Sequence, residues 1–132
     1  MDAATNTIFT DFVVLSPDNA ATVETADADL YARIEQRYSG FAAHQLVAAH
    51  EFDSDWDTWE VHPHGDEVVL LLSGEIEMVL KEAAGERSLH LAEPGAYVIV
   101  PRGVWHTART HVKTRLLFIT PGEGTLNQTH PG

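Results

Sequence analysis

Residues 95–106 read Gly95-Ala96-Tyr97-Val98-Ile99-Val100-Pro101-Arg102-Gly103-Val104-Trp105-His106. Tyr97–Val100 is a run of aromatic and β-branched residues, the composition of a strand. Pro101-Arg102-Gly103 reads as a rigid turn, because proline presets φ at its start and glycine tolerates the reversal that follows. The chain then re-enters a strand whose first residue is His106. Strand, tight turn and strand place that imidazole at one end of a sheet, with Arg102 in the turn beside it.

A second informative segment lies upstream: Glu60-Val61-His62-Pro63-His64-Gly65-Asp66-Glu67. Successive strand residues point to opposite faces, so His62 and His64 are expected on one face. Pro63 faces the other way and marks the strand as ending or as lying at an edge. Gly65-Asp66 allows a tight reversal that returns Glu67 on the next strand. Two neutral imidazoles and a carboxylate are a common donor set for Zn, Fe, Mn, Ni or Co. Taken alone, the same pattern also describes two solvated histidines near a turn.

Outward from these segments, short β-rich runs recur at 46–52, 58–62, 67–72, 76–81, 88–91, 97–100, 107–112 and 115–120, with Gly, Pro, Ser and Asp between them. Many short strands at this spacing indicate a sandwich or barrel, and few stretches could serve as crossover helices of a parallel sheet. Residues 8–15 read as a first strand. Leu30, Ile34 and Tyr38 recur at four-residue spacing, which predicts one helix over 27–38, stopped by Ser39-Gly40 and packed outside the sheets or against a partner subunit. The chain therefore reads as a single domain: an extension over 1–45, a barrel core over 46–120 and a tail over 121–132, frayed at Pro131-Gly132.

Taken together, the two segments resemble the cupin superfamily. Its second motif is Gly, five residues, Pro-x-Gly, two residues, His, three residues, Asn, and Gly95, Pro101, Gly103 and His106 fall on it. Glu67 and Gly74 match the end of the first motif, and His62 and His64 its His-x-His. The resemblance covers residues 56–120. It implies an all-β fold, an antiparallel jelly-roll barrel carrying a short N-terminal helix. It also implies one divalent transition metal ion inside, held by His62, His64, Glu67 and His106, with two or three coordination positions left for water or substrate. Two departures stand out. Only two residues separate His64 from Glu67, where the family usually has three or four, so Asp66 competes with Glu67 as the carboxylate ligand. Thr110 stands where the motif has Asn.

Strand parity sends Val69 and Leu71 inward with Glu67, and Ala108 and Thr110 inward with His106. Such a lining suits a small organic ligand. Tyr97, Trp59 and Trp105 are candidates to stack on it, Arg102 to clamp a carboxylate, and Thr110 to contact it, although each also reads as ordinary packing or surface. Glu60 shares the parity of His62 and is a candidate general base or a partner behind the ligands. Glu67 is the other candidate catalytic carboxylate. His44, His50, His90, His111 and His130 have no partner spacing and read as core or surface.

Composition narrows the function classes. Net charge is −12, and residues 1–60 carry 12 acidic side chains against Arg33 and Arg37. That sign opposes nucleic acids and anionic membranes. Met1–Thr10 shows no signal peptide, and no apolar run approaches membrane-spanning length. The chain has no cysteine, which excludes thiolate ligands and a catalytic thiol and accords with a cytoplasmic location. The expectation is a metal-dependent enzyme acting on a small organic molecule, of dioxygenase, isomerase or lyase type. A non-catalytic ligand-binding or sensor barrel is the alternative, and a vestigial scaffold the third reading. The resemblance also implies a homodimer, since the family often pairs barrels through sheet edges or exchanged N-terminal segments, and covering an exposed edge is a physical motive for it.

Overall fold

Side-chain alternation along the strands decides which residues meet in this molecule. The structure, a computed structural model, describes residues 3–132. The strands are β1 (Asp11–Leu15), β2 (Ala21–Thr25), β3 (Gln45–Phe52), β4 (Trp59–Val61), β5 (Glu67–Ser73), β6 (Ile76–Glu82), β7 (Gly85–Leu91), β8 (Tyr97–Val100), β9 (His106–Arg109), β10 (Thr114–Thr120) and β11 (Leu126–Gln128), with one helix, α1 (Leu30–Arg37). They form a six-stranded sheet in the order β2-β1-β3-β10-β5-β8 and a five-stranded sheet in the order β11-β4-β9-β6-β7. Each pairing in both sheets is antiparallel. This is the jelly-roll architecture that the resemblance implies, within the sandwich or barrel class indicated by the strand spacing.

The core lies between the sheets. Val69 and Leu71 of β5, Leu116 and Phe118 of β10, and Val98 and Val100 of β8 face Ile76, Met78 and Leu80 of β6 and Ala108 of β9. Each is the inward half of an alternating strand, and truncating such a leucine to alanine typically costs about 2–5 kcal/mol. The β5–β10 register shifts between Arg115 and Leu116, which marks a bulge. Nearby, Gly74 turns the chain from β5 to β6 with φ of +84° and lies against Lys113 and Thr114.

The helix is shorter than predicted, and it lies on the sheet with one face, Leu30 and Ile34, buried and the rest turned to solvent. Leu30 and Ile34 are buried against Phe12, Val14, Phe41, Leu46 and Ala48. Val14 pairs with Leu46, and Ala48 with Phe118, so α1 covers the same face of the six-stranded sheet that forms the core. The inner face of β1 and β3 needs an apolar cover, and α1 supplies it. Glu24, the one buried residue of β2, fixes the helix from the side. Its carboxylate accepts hydrogen bonds from Arg33 Nε at 3.2 Å, Arg37 Nη1 at 2.8 Å and the Tyr38 hydroxyl at 2.6 Å.

Burial pushes the Glu24 carboxyl up, but Tyr38, Arg33 and Arg37 outweigh it and hold its pKa below the usual value of 4.5. A depressed pKa contributes stability that is present above 4.5 and lost as pH falls through the lower folded value. Glu24→Gln is expected to lower stability at pH 7 by about 2 kcal/mol, because both arginines still reach water. Urea midpoints followed from pH 7 to pH 3 should fall less steeply in that variant than in the wild type.

Two strands escape sequence patterning. In β2 only Glu24 is buried, and β11 is exposed along its length. The tail expected to fray instead returns to the barrel. β11 pairs with β4, and Gly132 packs so closely on the Trp105 ring that a Cβ there would lie 3.0 Å from it. Among the described residues, no helix is long and apolar enough to cross a membrane.

Candidate metal centre

Three side chains from both sheets converge at one end of the core. Glu67 opens β5 in the six-stranded sheet, His106 opens β9 in the five-stranded sheet, and His62 directly follows β4. All three are buried, His106 completely. Nε2 of His106 lies 3.1 Å from Glu67 Oε1, and Nε2 of His62 lies 3.2 Å from Glu67 Oε2. One nitrogen or oxygen from each residue falls within 4.8 Å of the others.

These contacts have ion-pair distances without hydrogen-bond alignment. His62 Nε2, His106 Nε2 and Glu67 Oε1 are buried and have no hydrogen-bond partner among the described residues. Buried polar atoms left in that state are costly, and three of them facing one point fit a cation between them.

Each ligand is fixed from behind. His62 Nδ1 lies 2.8 Å from Thr125 Oγ1, and His106 Nδ1 lies 3.2 Å from the Val104 carbonyl. An Nδ1–H donated to each of these oxygens leaves the Nε2 lone pair directed at the centre, the tautomer that a metal requires. The Thr120 hydroxyl donates to Glu67 Oε2 at 2.6 Å and leaves Oε1 open. Thr120→Val keeps the shape but removes that donor. A loss of about tenfold in metal affinity is expected, at the low end for partners behind ligands, with little change in fold; calorimetric titration of metal-free protein measures it.

Charge is concentrated here. Burial pushes the Glu67 carboxyl up, but His106 and His62 more than reverse this and hold its pKa at about 2. Burial pushes the His106 imidazole down, but Glu67 outweighs this and leaves its pKa raised above the usual value. Glu60 is raised, first by burial and then by Glu67, against the opposing pull of both histidines.

The family model of the cupin domain matches residues 50–122, more than half of the chain. The chain belongs to the cupin superfamily. Among solved structures, this cupin is similar to a conserved protein with a double-stranded β-helix domain from Klebsiella pneumoniae, at 23% identity and a TM-score of 0.52, over 63% of this chain and 73% of that one. It is also similar to an oxalate oxidase, at 15% identity and a TM-score of 0.54, over 62% of this chain and 45% of that one. A third likeness is to a cupin-2 domain protein from Shewanella frigidimarina, at 18% identity and a TM-score of 0.50, over 58% and 70%. At these identities the likeness is one of fold. No curated protein matches the chain in sequence.

The cupin structure does not bring every expected residue to the centre. His64 is 55% exposed, and its nearest acidic atom is Glu123 Oε1 at 3.9 Å. β4 ends at Val61, so the alternation that would have paired His64 with His62 stops before it applies. Asp66 is also turned away: its Oδ1 accepts the Arg102 backbone N–H at 2.8 Å, which leaves Glu67 as the carboxylate of the group. Tyr97 is 61% exposed on the outer face of β8, because Val98 and Val100 take the inward positions. Arg102 is exposed in its turn and lines a different surface pocket, beside His64 and Asp66.

Trp105 packs on Gly132 instead of a ligand. Thr110 is buried as parity predicted, but its hydroxyl donates to the Glu75 carbonyl at 2.7 Å and so serves the core. Val69, Leu71 and Ala108 are completely buried core residues. Glu60 stands beside the group, with Oε1 3.3 Å from His62 Nε2.

An open cavity of about 970 Å³ lies over the centre, and Glu60, His62 and Glu67 form part of its lining. Tyr31, Phe52, Trp56 and Phe118 supply aromatic walls. Trp56 packs edge-on to His106 at 6.3 Å between ring centroids, and its buried Nε1 has no partner among the described residues. Sequence reasoning missed Tyr31, Trp56, Thr120 and Thr125. Thr125 sat in the supposed tail, Thr120 closed a strand, and neither carries a local signal for a role reached across the fold.

Proposed function

We propose that this cupin is a metal-dependent enzyme acting on a small neutral or cationic organic molecule. The convergence of three orphaned ligand atoms, on His106 and on His62 and Glu67 which line the aromatic cavity, carries this reading. A divalent ion held by His62, Glu67 and His106 would supply Lewis-acid or redox chemistry to a substrate in that cavity. The cavity residues do the rest. Tyr31, Phe52 and Phe118 bury and orient an aromatic or aliphatic body, and the Trp56 N–H offers one directional donor.

Charge narrows the substrate class. The lining includes Glu35, Glu51, Asp53, Asp55 and Asp57, and no lysine or arginine among the described residues. An organic anion entering it would meet like charge, with Arg115 and Lys113 already engaged by Glu51 and only the bound ion left to pair with. The position of Arg102 outside the cavity supports the same conclusion. The likeness to an oxalate oxidase is one of fold, and this lining argues against a dicarboxylate as the substrate.

The test is turnover by protein loaded in turn with Fe(II) and Mn(II), offered phenols, diketones, amines and carboxylic acids, with oxygen uptake and product formation recorded. Turnover confined to neutral or amine compounds supports the reading. A loaded protein that turns over none of them, yet gains several degrees of melting temperature with one, is a passive binder instead.

A further inference from the structure

We infer that Glu60, and not His64, is the fourth ligand of the metal centre, giving a set of two imidazoles and two carboxylates. The inference rests on the metal reading above and adds a residue to it. Glu60 lies on β4 directly opposite His106 on β9, so the two side chains are cross-strand neighbours. It lines the same cavity as His62 and Glu67. Its Oε1 stands 3.3 Å from His62 Nε2, close to the 3.2 Å that separates the same nitrogen from Glu67 Oε2. One imidazole nitrogen is thus flanked by two carboxylates. Glu60 has no lysine or arginine at ion-pair distance among the described residues. Two carboxylates drawn to the same imidazole nitrogen repel each other unless positive charge lies near both, and a divalent ion supplies it.

His64 is held elsewhere by packing. The turn that carries it is wedged at Gly65, where a Cβ would lie 2.7 Å from the Pro121 ring, and is pinned by the Gly103 N–H on the His62 carbonyl at 3.0 Å. Bringing the His64 ring inward would require this turn to roll against Pro121. The Glu60 side chain, 29% exposed, lies beside the group of His62, Glu67 and His106, in contact with His62, and a side-chain rotation without backbone movement would bring it onto an ion there.

The donor set has chemical consequences. Two carboxylates neutralise a divalent ion, and oxygen donors favour Mn(II) more than a third imidazole does. The experiment titrates metal-free protein with Mn(II) and with Zn(II) by calorimetry, and records the Mn(II) paramagnetic resonance spectrum. Glu60→Gln and Glu60→Ala are expected to weaken Mn(II) binding by more than about tenfold and to change that spectrum, since removal of mere supporting partners already costs 10- to 100-fold. His64→Ala is expected to stay within about twofold of the wild type, an exposed side chain away from the ion contributing little. Glu60→His should raise the ratio of Zn(II) to Mn(II) affinity by about tenfold. Circular dichroism on the same samples reports folding. A His64→Ala chain that loses binding, or Glu60 variants that keep it with the spectrum unchanged, overturns the assignment. A wild-type chain that binds neither ion at one equivalent overturns the metal reading itself, a separate and recognisable failure.

Discussion

The His106→Ala chain is expected to lose more than about 100-fold in metal affinity, beyond the range seen when only a partner behind a ligand is removed. That factor corresponds to about 2.8 kcal/mol or more of binding free energy. His106 is fully buried, its Nδ1 is occupied by the Val104 carbonyl, and its Nε2 has only the centre to serve. Without the ring, His62 and Glu67 remain, with Glu60 beside His62, and the strand opposite Glu60 offers no further donor. The substitution also leaves a void beside Trp56, so some loss of fold stability accompanies it. His106→Gln, which preserves more of the volume, separates the two effects. Metal added to the wild type should raise its melting temperature by RT ln(1 + [L]/Kd) expressed through the unfolding entropy, and both variants should show almost no such rise. A metal-induced rise that survives in His106→Gln would remove this histidine from the ligand set.

Gly74→Ala is expected to destabilise the barrel by about 3–5 kcal/mol, the upper part of the range for single substitutions. Two costs combine. A φ of +84° lies in the left-handed region, which costs a residue with a Cβ about 1–2 kcal/mol. The added Cβ would also press on the Lys113 carbonyl and fall 2.7 Å from Thr114 Oγ1 and 2.8 Å from Thr114 Cα. Neither group has room to yield. Thr114 is fully buried, and its hydroxyl donates to the Glu75 carbonyl at 2.8 Å beside the β5–β10 bulge. Gly40→Ala is the matched control: φ is +72° there, but nothing lies within 4 Å of the new Cβ, so only about 1 kcal/mol should be lost. Thermal unfolding of the two variants should differ by roughly 10 °C, at a few degrees per kcal/mol for a chain of this size.

β5, β8 and β10 were legible because their alternation is strong, and the other strands from β3 to β10 because turn residues bound them. Val69 and Leu71, Val98 and Val100, and Leu116 and Phe118 each announce an inward face. β2 and β11 were not, since a strand that buries one glutamate, or nothing, leaves no apolar period. The helix was legible as a helix but not in its location, because an apolar stripe does not say what covers it. At the centre, alternation misled at one point. It was carried past Val61, where the strand stops, and so reached His64. A spacing signal pointed elsewhere. Four residues separate His62 from Glu67 and six separate Glu67 from Gly74, so Glu60-Val61-His62 fits the cupin interval better than His62-Pro63-His64. Thr120 and Thr125 belong to tertiary structure alone, reaching Glu67 and His62 from 53 and 63 residues away.

The returning C-terminal segment makes the end of the chain a tether on chemistry that lies far from it in sequence. Trimmed back to Pro121, the molecule would retain every donor atom around the ion, yet His62 would have no hydroxyl to choose its tautomer and β4 would become a bare edge. By linkage the influence runs in both directions: metal bound at the centre is expected to slow proteolysis within residues 122–132, and a chelator to hasten it.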